Sequence, residues 1–272
     1  MNTMRGVSRQ SFEGTRRQVE SLLAGQDARA ISRDLFAITH VLDGAAGLRR
    51  ALTDPSRDEA SKTALATSLF ASKVNAGALA IVSALAGKRW SSPSELSDAI
   101  ELIAVEVEAA AAEQDGTLDA VESELFRFAR VVASESGLRQ ALTDRSLPVA
   151  QKQGLIEALL ADKASTSTRT LVSALVSSPR GRSIERGLEA FAQVAADRRG
   201  RSIAHVTSAV ALTEAQRERL ASALAAQAGR PIQLNVEVDP SIVGGISVRL
   251  GDELFDGTII NRIADARRRL AG

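Results

Sequence analysis

Two histidines are the first residues to consider for chemistry, since a metal site or a catalytic triad would draw on them. His40 and His205 are the only histidines, they lie far apart, and the chain has no cysteine. Without cysteine there is no disulfide, no thiolate nucleophile and no zinc site built on sulfur. Because the histidines are expected in different domains, we predict neither a two-histidine metal site nor a Ser/His/Asp triad. Each histidine is interpreted as a partly buried polar residue.

Paired carboxylates would be the other route to acid–base chemistry. The pairs Glu106/Glu108 and Glu122/Glu124 each stand two positions apart in stretches that we expect to be helical. Residues at that spacing do not face each other on a helix, so we interpret both pairs as solvated helix faces. The sequence therefore predicts no catalytic residue, no cofactor-binding residue and no metal ligand, and the chain is not expected to be an enzyme.

Three further features each have a structural and a functional interpretation. Gly244-Gly245 would suit a phosphate-binding turn, but it lacks the glycine motifs of phosphate loops, so a structural turn is preferred. Arg267-Arg268-Arg269 would touch phosphate, lipid or the end of a partner helix, whereas a helix dipole also favours cations on a last turn, which is the preferred interpretation. Trp90 is expected to pack in or beside a core rather than to be a partner hot spot.

Composition narrows the class of protein. Hydrophobic residues make up 44% and charged residues 25% of 272 residues, which is ordinary for a folded chain. The net charge of +1 gives no broad field for nucleic acid or an anionic membrane. Aromatic residues reach only 3%, which favours packed helices and disfavours single-strand nucleic-acid binding. The sequence has no apolar run of about 18 residues and no secretory signal, so we expect a cytoplasmic location without membrane insertion.

An internal repeat organises the first two thirds of the chain. GLRRALTD at 47–54 returns as GLRQALTD at 137–144, an offset of 90 residues. The same register, without gaps, relates residues 30–90 to residues 120–180. A period of 90 is too long for solenoid repeats of about 20–50 residues. A duplicated helical bundle is therefore predicted.

Each copy reads as short amphipathic helices. An apolar stripe with the i, i+4, i+7, i+11 spacing of one helix face runs from Val121 to Val132. Such helices must bury their stripes against one another. We predict a helical bundle at 1–114, a related bundle at 115–200, and a helix around 94–114 that joins the two.

The last third changes from helical to alternating periodicity. Residues 232–238, IQLNVEV, alternate strictly, as a strand with one buried face does. The predicted elements are a strand at 203–210, a helix that begins at the capping box of Thr213 and Gln216, strands at 232–238, 245–250 and 253–256, and a final helix from Thr258. The fold class is therefore mainly α, two related bundles followed by a small α/β module at 201–272.

The stretch VDPSIVGGISVRLGDELFDGTIINRIADARRRL at 238–270 resembles the signature of ATP synthase delta subunits, the family of the oligomycin-sensitivity-conferring protein. In that pattern an apolar residue and Asp precede two glycines, a short strand with a basic residue and a glycine follows, and Asp-x-Ser/Thr leads into the last helix. The matching positions, which we take as candidate partner contacts, are Asp239, Gly244, Gly245, Arg249, Gly251, Asp256 and Thr258. The additional bundle is similar to the long delta subunits of high-GC Gram-positive bacteria.

This resemblance implies a non-catalytic subunit of the peripheral stalk of a proton-translocating F-type ATP synthase, on the cytoplasmic face of a bacterial cell membrane. The implied partners are the N-terminal helices of the alpha subunits on the catalytic head and the b-type stalk subunit, with one copy per complex and no cofactor. The residues leave open which bundle contacts the alpha subunits. Alternatives are a helical scaffold unrelated to the synthase, a nucleic-acid-binding regulator, and an enzyme, the last two disfavoured by charge and by the missing catalytic groups.

Overall fold

The computed structural model describes the chain in two compact units, residues 1–196 and 197–272. The residues that the structure describes are 4, 6–144, 146–201, 203–228, 232–239, 245–250 and 253–256. Among these residues, helices dominate the first unit and the second contains a mixed sheet and a helix packed on it, so the predicted mainly α class with a small α/β module is confirmed. None of the described helices is both long enough and apolar enough to cross a bilayer.

The helices of the first unit follow one another with short connections. They are α1 (Gly6–Leu23), α2 (Ala28–Gly44), α3 (Ala46–Thr53), α4 (Glu59–Phe70), α5 (Ala76–Gly87), α6 (Pro93–Gln114), α7 (Leu118–Ser134), α8 (Ser136–Thr143), α9 (Val149–Leu160), α10 (Thr166–Ser177) and α11 (Ile184–Arg201), the last of which continues into the second unit. Both ends of α2, α3, α4 and α5 recur 90 residues later as the ends of α7, α8, α9 and α10. The sequence repeat is therefore a repeat of helices with identical lengths.

An acidic side chain fixes the start of the last helix in each copy. Asp34 on α2 accepts hydrogen bonds from the backbone N–H and the side-chain amide of Asn75, both at 2.7 Å. At the equivalent position on α7, Glu124 accepts from the backbone N–H of Ser165 at 2.8 Å and from its hydroxyl at 2.9 Å. Asn75 and Ser165 in turn cap α5 and α10 by accepting from backbone N–H groups of the first turn. The two copies thus form the same contact, an acidic side chain bound to the N-cap residue of the last helix, with different residues.

Helix α6 lies in the middle of the first unit. Every residue from Ala99 to Ala112 is buried. Helices α1, α2, α3 and α5 of the first copy pack on α6, and so do α7 and α10 of the second. One continuous hydrophobic cluster runs from Met4 to Ala195 as a result. The helix predicted around 94–114 does connect the copies in sequence, but it is their shared core and not a connector between separate cores.

Two interpretations made from the sequence are wrong, the first of them because α6 is covered on all sides. Glu106 and Glu108 are buried, at 8% and 0% exposure, and do not form a solvated face. His40 and His205 were expected to be partly buried, and both are exposed. The division into domains at 1–114, 115–200 and 201–272 stays a prediction.

The second unit contains a four-stranded sheet with the order β2-β1-β3-β4. Its strands are β1 (Ile203–Ser208), β2 (Gln233–Val238), β3 (Ile246–Leu250) and β4 (Glu253–Asp256), and α12 (Glu214–Ala228) lies between β1 and β2 in sequence. Strand β1 pairs in parallel with β2 and antiparallel with β3, and β3 pairs antiparallel with β4. These elements confirm the predicted order of strands and helix; the final helix predicted from Thr258 lies outside the described residues.

The capping box at the start of α12 is confirmed. The backbone N–H of Gln216 donates to the hydroxyl of Thr213 at 3.3 Å, and the backbone N–H of Thr213 donates to the Gln216 side-chain carbonyl at 2.9 Å. The helix packs Leu220 and Leu224 toward a small core with Ala204, Val206 and Val248 of the sheet. The alternation of β1 and β3 therefore has one buried face, as the sequence period of two requires.

Because the two copies share one core, a destabilising substitution in one copy should also lower the stability of the other. Leu142→Ala removes a fully buried side chain from α8 in the second copy, which should cost about 2–5 kcal/mol. Trp90, the single tryptophan, is half-buried against the same cluster beside the first copy, so its fluorescence reports unfolding there. We expect the Trp90 transition in guanidinium chloride to shift to lower denaturant in the Leu142→Ala chain.

Phe126→Ala is the matched control for that experiment, since this α7 side chain is 53% exposed. Its effect should stay within about 0.5 kcal/mol. A helical signal that shifts in the Leu142→Ala chain while the Trp90 transition does not move would contradict a common core.

Candidate partner-docking site

Helix α2 lies in a groove that α6 and α10 form in the second copy. Along its length α2 packs on α6, and it also contacts α10. At one end Arg29 donates to the Asp115 carboxylate at 2.6 Å and to the Ser167 hydroxyl at 3.1 Å. At the other end the His40 Nδ1 atom lies 3.2 Å from the Ser178 hydroxyl. The first copy thus supplies an amphipathic helix that the second copy binds.

Arginines from the loop between α10 and α11 hold the C-terminal end of α2 against α6. The Arg180 Nη2 atom lies 2.7 Å from an Asp98 oxygen, and its Nε atom lies 3.4 Å from Asp43 at the end of α2. Arg182 donates to the buried Glu101 carboxylate at 2.5 Å. Arg180 has a positive φ of 54°, a conformation that costs free energy in a non-glycine residue and is kept here by these ion pairs.

Burial dominates the acid–base behaviour of this cluster. It raises the pKa of Glu101 above its ordinary value, and Arg182 and then Arg180 oppose that rise. Burial likewise raises the pKa of Asp98, with Arg180 the strongest opposing charge. The cluster is a clamp of opposite charges between elements that pack together, and it is not a pair of carboxylates arranged around a substrate.

Glu108 is the most deeply buried carboxyl group of α6. Its Oε1 atom is 3.6 Å from the Arg29 Nε atom, beyond good hydrogen-bond distance. Burial raises the pKa of Glu108, and the hydroxyl groups of Ser167 and Ser32 together with the charge of Arg29 oppose the rise only in part. This carboxyl group stands where α2, α6 and α10 meet, so its protonation is coupled to the packing of the two copies.

A cavity of about 330 Å³ remains in the seam between α2 and the α9–α10 pair. Small and apolar side chains such as Phe36, Ala37 and Ala174 contribute to its lining. The ionisable side chains that line it are Arg33, His40 and Glu101, and Glu101 already binds Arg182. Ser178 also lines the cavity, with its hydroxyl 3.2 Å from the His40 Nδ1 atom, but no described contact joins that imidazole to a carboxylate. In the described part of the chain there is also no group of three acidic or histidine side chains that would hold a metal ion.

The equivalent groove of the first copy, between α1 and α5, has no helix of the described chain lying in it. The residues that stand 90 positions before the α6–α10 groove are Gly14, Gln18, Leu22, Ala80 and Ala84. Gln18 and Ala80 are exposed, and the other three are half-buried. Small side chains allow the backbone of a docked helix to approach closely. The α1–α5 groove is thus an open counterpart of a groove that holds a helix elsewhere in the same fold.

Three of the signature positions come together at one edge of the sheet. Asp239 follows the end of β2 and donates its backbone N–H to the Ser208 carbonyl at 2.9 Å. Gly245, just before β3, has φ +91°, which suits glycine and supports the structural turn. Asp256 ends β4 and pairs in register with Ser247 at the start of β3.

Arg249 is exposed and lies away from that edge, opposite His205 on β1. Gly244, Gly251 and Thr258 lie outside the described residues, as do Arg267, Arg268 and Arg269. As partner contacts, the signature positions stay predictions.

The helix grooves were missed as sites, although the 90-residue offset and the small residues of α1 and α5 were visible signals. Trp90 donates its Nε1–H to the Leu85 carbonyl at 2.9 Å, in keeping with a packing role.

The comparisons with known proteins decide the family. A model of the ATP synthase delta (OSCP) subunit family matches residues 107–270. ATP synthase subunit delta of Kineococcus radiotolerans is 47% identical over 98% of both chains. The Streptomyces coelicolor and Thermobifida fusca proteins of the same name are 44% and 45% identical, over 100% and 99% of this chain and 100% of their own.

The chain belongs to the ATP synthase delta (OSCP) subunit family. Membership confirms the predicted function, a peripheral-stalk component of an F-type ATP synthase, and excludes an unrelated helical scaffold. The family model begins at Val107 inside α6, so it covers the second copy and the module. The relatives match over nearly the full length and therefore include the first copy as well.

Removing the Glu108 carboxyl group should change how stability depends on pH. Because its pKa is higher in the folded chain than in the unfolded chain, Glu108 contributes stability below the unfolded-state value that is lost as pH rises through the folded-state value. Relative to the native chain, Glu108→Gln should therefore gain stability as pH rises from about 4 to about 8. Urea unfolding across this range measures the difference.

Glu189→Gln, on an exposed part of α11, is the control for loss of one surface carboxyl group. If the stability difference between the Glu108→Gln chain and the native chain does not change with pH, Glu108 is not the buried, desolvated group described above.

Proposed function

We propose that this delta-family chain is a non-catalytic stator adaptor that binds the N-terminal helix of an alpha subunit in its α1–α5 groove and the end of the b-type stalk subunit on its C-terminal module. One copy per synthase, at the cytoplasmic face of the bacterial membrane, belongs to the same proposal. The observation that carries it is the contrast between the two grooves. The α6–α10 groove holds α2, whereas the α1–α5 groove of the same design has no occupant among the described helices.

The way α2 lies in the α6–α10 groove indicates which kind of helix the α1–α5 groove would bind. Helix α2 presents buried Leu35, Ile38 and Leu42 on one side and polar anchors at its ends. Helix-in-groove recognition uses the same arrangement, apolar anchors at i, i+3, i+4 and i+7 with polar contacts around them. The α1–α5 groove has Gln18 in place of Glu108 and Gly77 in place of Ser167, so it lacks the polar anchors that bind Arg29. It therefore favours a mostly apolar helix face.

The sheet edge of the C-terminal module supports the second half of the proposal. Strands β1 and β2 run in parallel and end together, and two exposed valines, Val210 and Val238, stand at that end with exposures of 68% and 47%. Asp239 and Gly245 lie at the same edge. Exposed apolar side chains that lie close together can form a contact for the end of a partner helix. The chemistry of ATP synthesis would then belong wholly to other subunits.

Calorimetry with a peptide of about the first 25 residues of the alpha subunit from the same organism tests the groove. The native chain should bind it saturably. Ala80→Trp fills the open groove and should weaken binding about tenfold or more, since overpacking of a fitted interface is costly. Ala60→Trp, on an exposed part of α4, is the matched control and should bind like the native chain.

The stalk half of the proposal has its own test. A peptide of the C-terminal end of the b-type subunit should bind the native chain and lose affinity in Val238→Asp, which places a charge in the exposed apolar edge. Alpha-peptide binding that Ala80→Trp leaves unchanged would move the site away from α1 and α5. Absence of binding to either peptide would overturn the adaptor assignment.

A further inference from the structure

Glu108 lies where α2, α6 and α10 meet, in a junction that gives its carboxyl group no hydrogen bond. The side chain is fully buried, and neither of its oxygens has a hydrogen-bond partner in the described part of the chain. The buried Nε atom of Arg29 and the buried hydroxyl of Ser32 have none either. An unpaired carboxylate costs far more to bury than a neutral carboxyl group. The junction therefore favours the neutral form of Glu108.

Arg29 is the strongest charge acting on this carboxyl group, and it is shared with a second acid. Its Nη2 atom lies 2.6 Å from the Asp115 carboxylate, whereas its Nε atom lies 3.6 Å from the Glu108 carboxyl group. Asp115 is exposed, so water also solvates its charge. One guanidinium group thus serves two acids and forms its short contact with the one that depends on it less.

The helices around α6 supply no second cation for Glu108 among the described residues. Their half-buried arginines have other partners, namely Arg16 with Glu106, Arg49 with the Asp43 carbonyl and Arg169 with Glu157. The remaining basic side chains of these helices are exposed, and α5 has no charged residue. Acidic side chains on α1, α2 and α7, such as Glu20, Asp34 and Glu122, can only oppose ionisation of Glu108. The hydroxyls of Ser32 and Ser167 lower its pKa without reaching good hydrogen-bond geometry.

The contact between α2 and α10 beside this junction is incompletely packed. A cavity of about 330 Å³ lies along it, and the described hydrogen bonds across it are those of Arg29 with Ser167 and of His40 with Ser178. An imidazole can donate its Nδ1–H both when neutral and when protonated, so titration of His40 leaves its contact in place. A small outward movement of α10 would therefore admit water to Glu108 while α2 stays packed on α6.

We propose that the contact between α2 and α10 is a pH-sensitive switch, which is closed while Glu108 is neutral and opens when Glu108 ionises. Burial keeps the pKa of Glu108 above its ordinary value in the closed form, and water returns it toward that value in the open form. The closed form therefore holds the proton more tightly, and rising pH favours the open form. Between the two pKa values, the ratio of open to closed molecules rises about tenfold per pH unit. This switch does not depend on which subunits the chain binds.

Hydrogen exchange of the full chain, followed by mass spectrometry, measures this opening in the first turns of α10. At each pH the exchange rate of the native chain is divided by that of Glu108→Gln, so that the intrinsic effect of pH cancels. The amide of the variant cannot ionise, so we expect this ratio to rise about tenfold or more between about pH 4.5 and about pH 7. Glu106→Gln is the matched control, since Arg16 binds this buried carboxylate at 2.8 Å, and its ratio in α10 should not change with pH.

Asp115→Asn separates the switch from a purely structural role of the Arg29 ion pair. With a neutral side chain at this position, Arg29 is released to stabilise the charge of Glu108 in the closed form. The first turns of α10 should then exchange about threefold more slowly than in the native chain at about pH 7, which corresponds to half a pKa unit. If Arg29 and Asp115 only held the helices together, the same substitution would accelerate exchange. The inference is overturned by a Glu108→Gln ratio that does not change with pH, by an equal rise in Glu106→Gln, or by faster exchange in Asp115→Asn at neutral pH.

Discussion

The burial of α6 on every side from Ala99 to Ala112 is the constraint on which the helical unit depends. By the 90-residue offset, α6 takes the place of α11 in the first copy and the place of α1 in the second. Helix α6 is therefore both the last helix of the first bundle and the first helix of the second. Its middle part is covered on every side and is buried away from solvent. Its three buried glutamates are paired with arginines of neighbouring elements, Glu101 with Arg182, Glu106 with Arg16 at 2.8 Å, and Glu108 with Arg29. We expect paired buried charges of this kind to fix which surfaces meet more than they add stability.

The two copies have different residues at the positions where the shared helix α6 gives them different neighbours. The second copy uses its groove to hold α2, with polar contacts there from Glu108 and Ser167. The first copy has glutamine and glycine at those positions, and no helix among the described residues lies in its groove. Phe36 of α2 is half-buried in the seam with α9 and α10, whereas Phe126 at the equivalent position of α7 is exposed. A duplication thus yields two different surfaces for partners, because each copy has only one neighbour.

Much of this architecture was accessible from the sequence, for physical reasons that differ from element to element. The repeat was visible because GLRRALTD and GLRQALTD share their apolar spacing, and the same offset gives the helix ends. The strand at 232–238 was predictable from strict alternation, and α12 from the Thr213–Gln216 box. The signature from Val238 onward indicated the family, and three of its described residues, Asp239, Gly245 and Asp256, lie where the strands begin or end.

The position of α6 could not be predicted in the same way. Periodicity reveals which side of a helix is apolar, and α6 has glutamates at 101, 106 and 108 that resemble a solvent-facing side. Their partners, Arg182, Arg16 and Arg29, lie on elements distant in sequence, and no local pattern announces such pairs. The run of alanines at 109–112 was the available hint, because small side chains permit close packing on every side. The helix grooves could not be predicted for the same reason, because they depend on contacts between elements that are distant in sequence.

Sharing α6 also has a mechanical consequence. Two bundles joined by a linker would pivot about it when opposite forces act on them, whereas these two have a common rod through both cores. A twisting load that enters the first copy is transmitted to the second through packed side chains along Ala99–Ala112, with no flexible joint between them. Elastic yielding under torque is therefore expected outside the two helical copies, and the helical unit acts as a stiff element in series with more compliant parts.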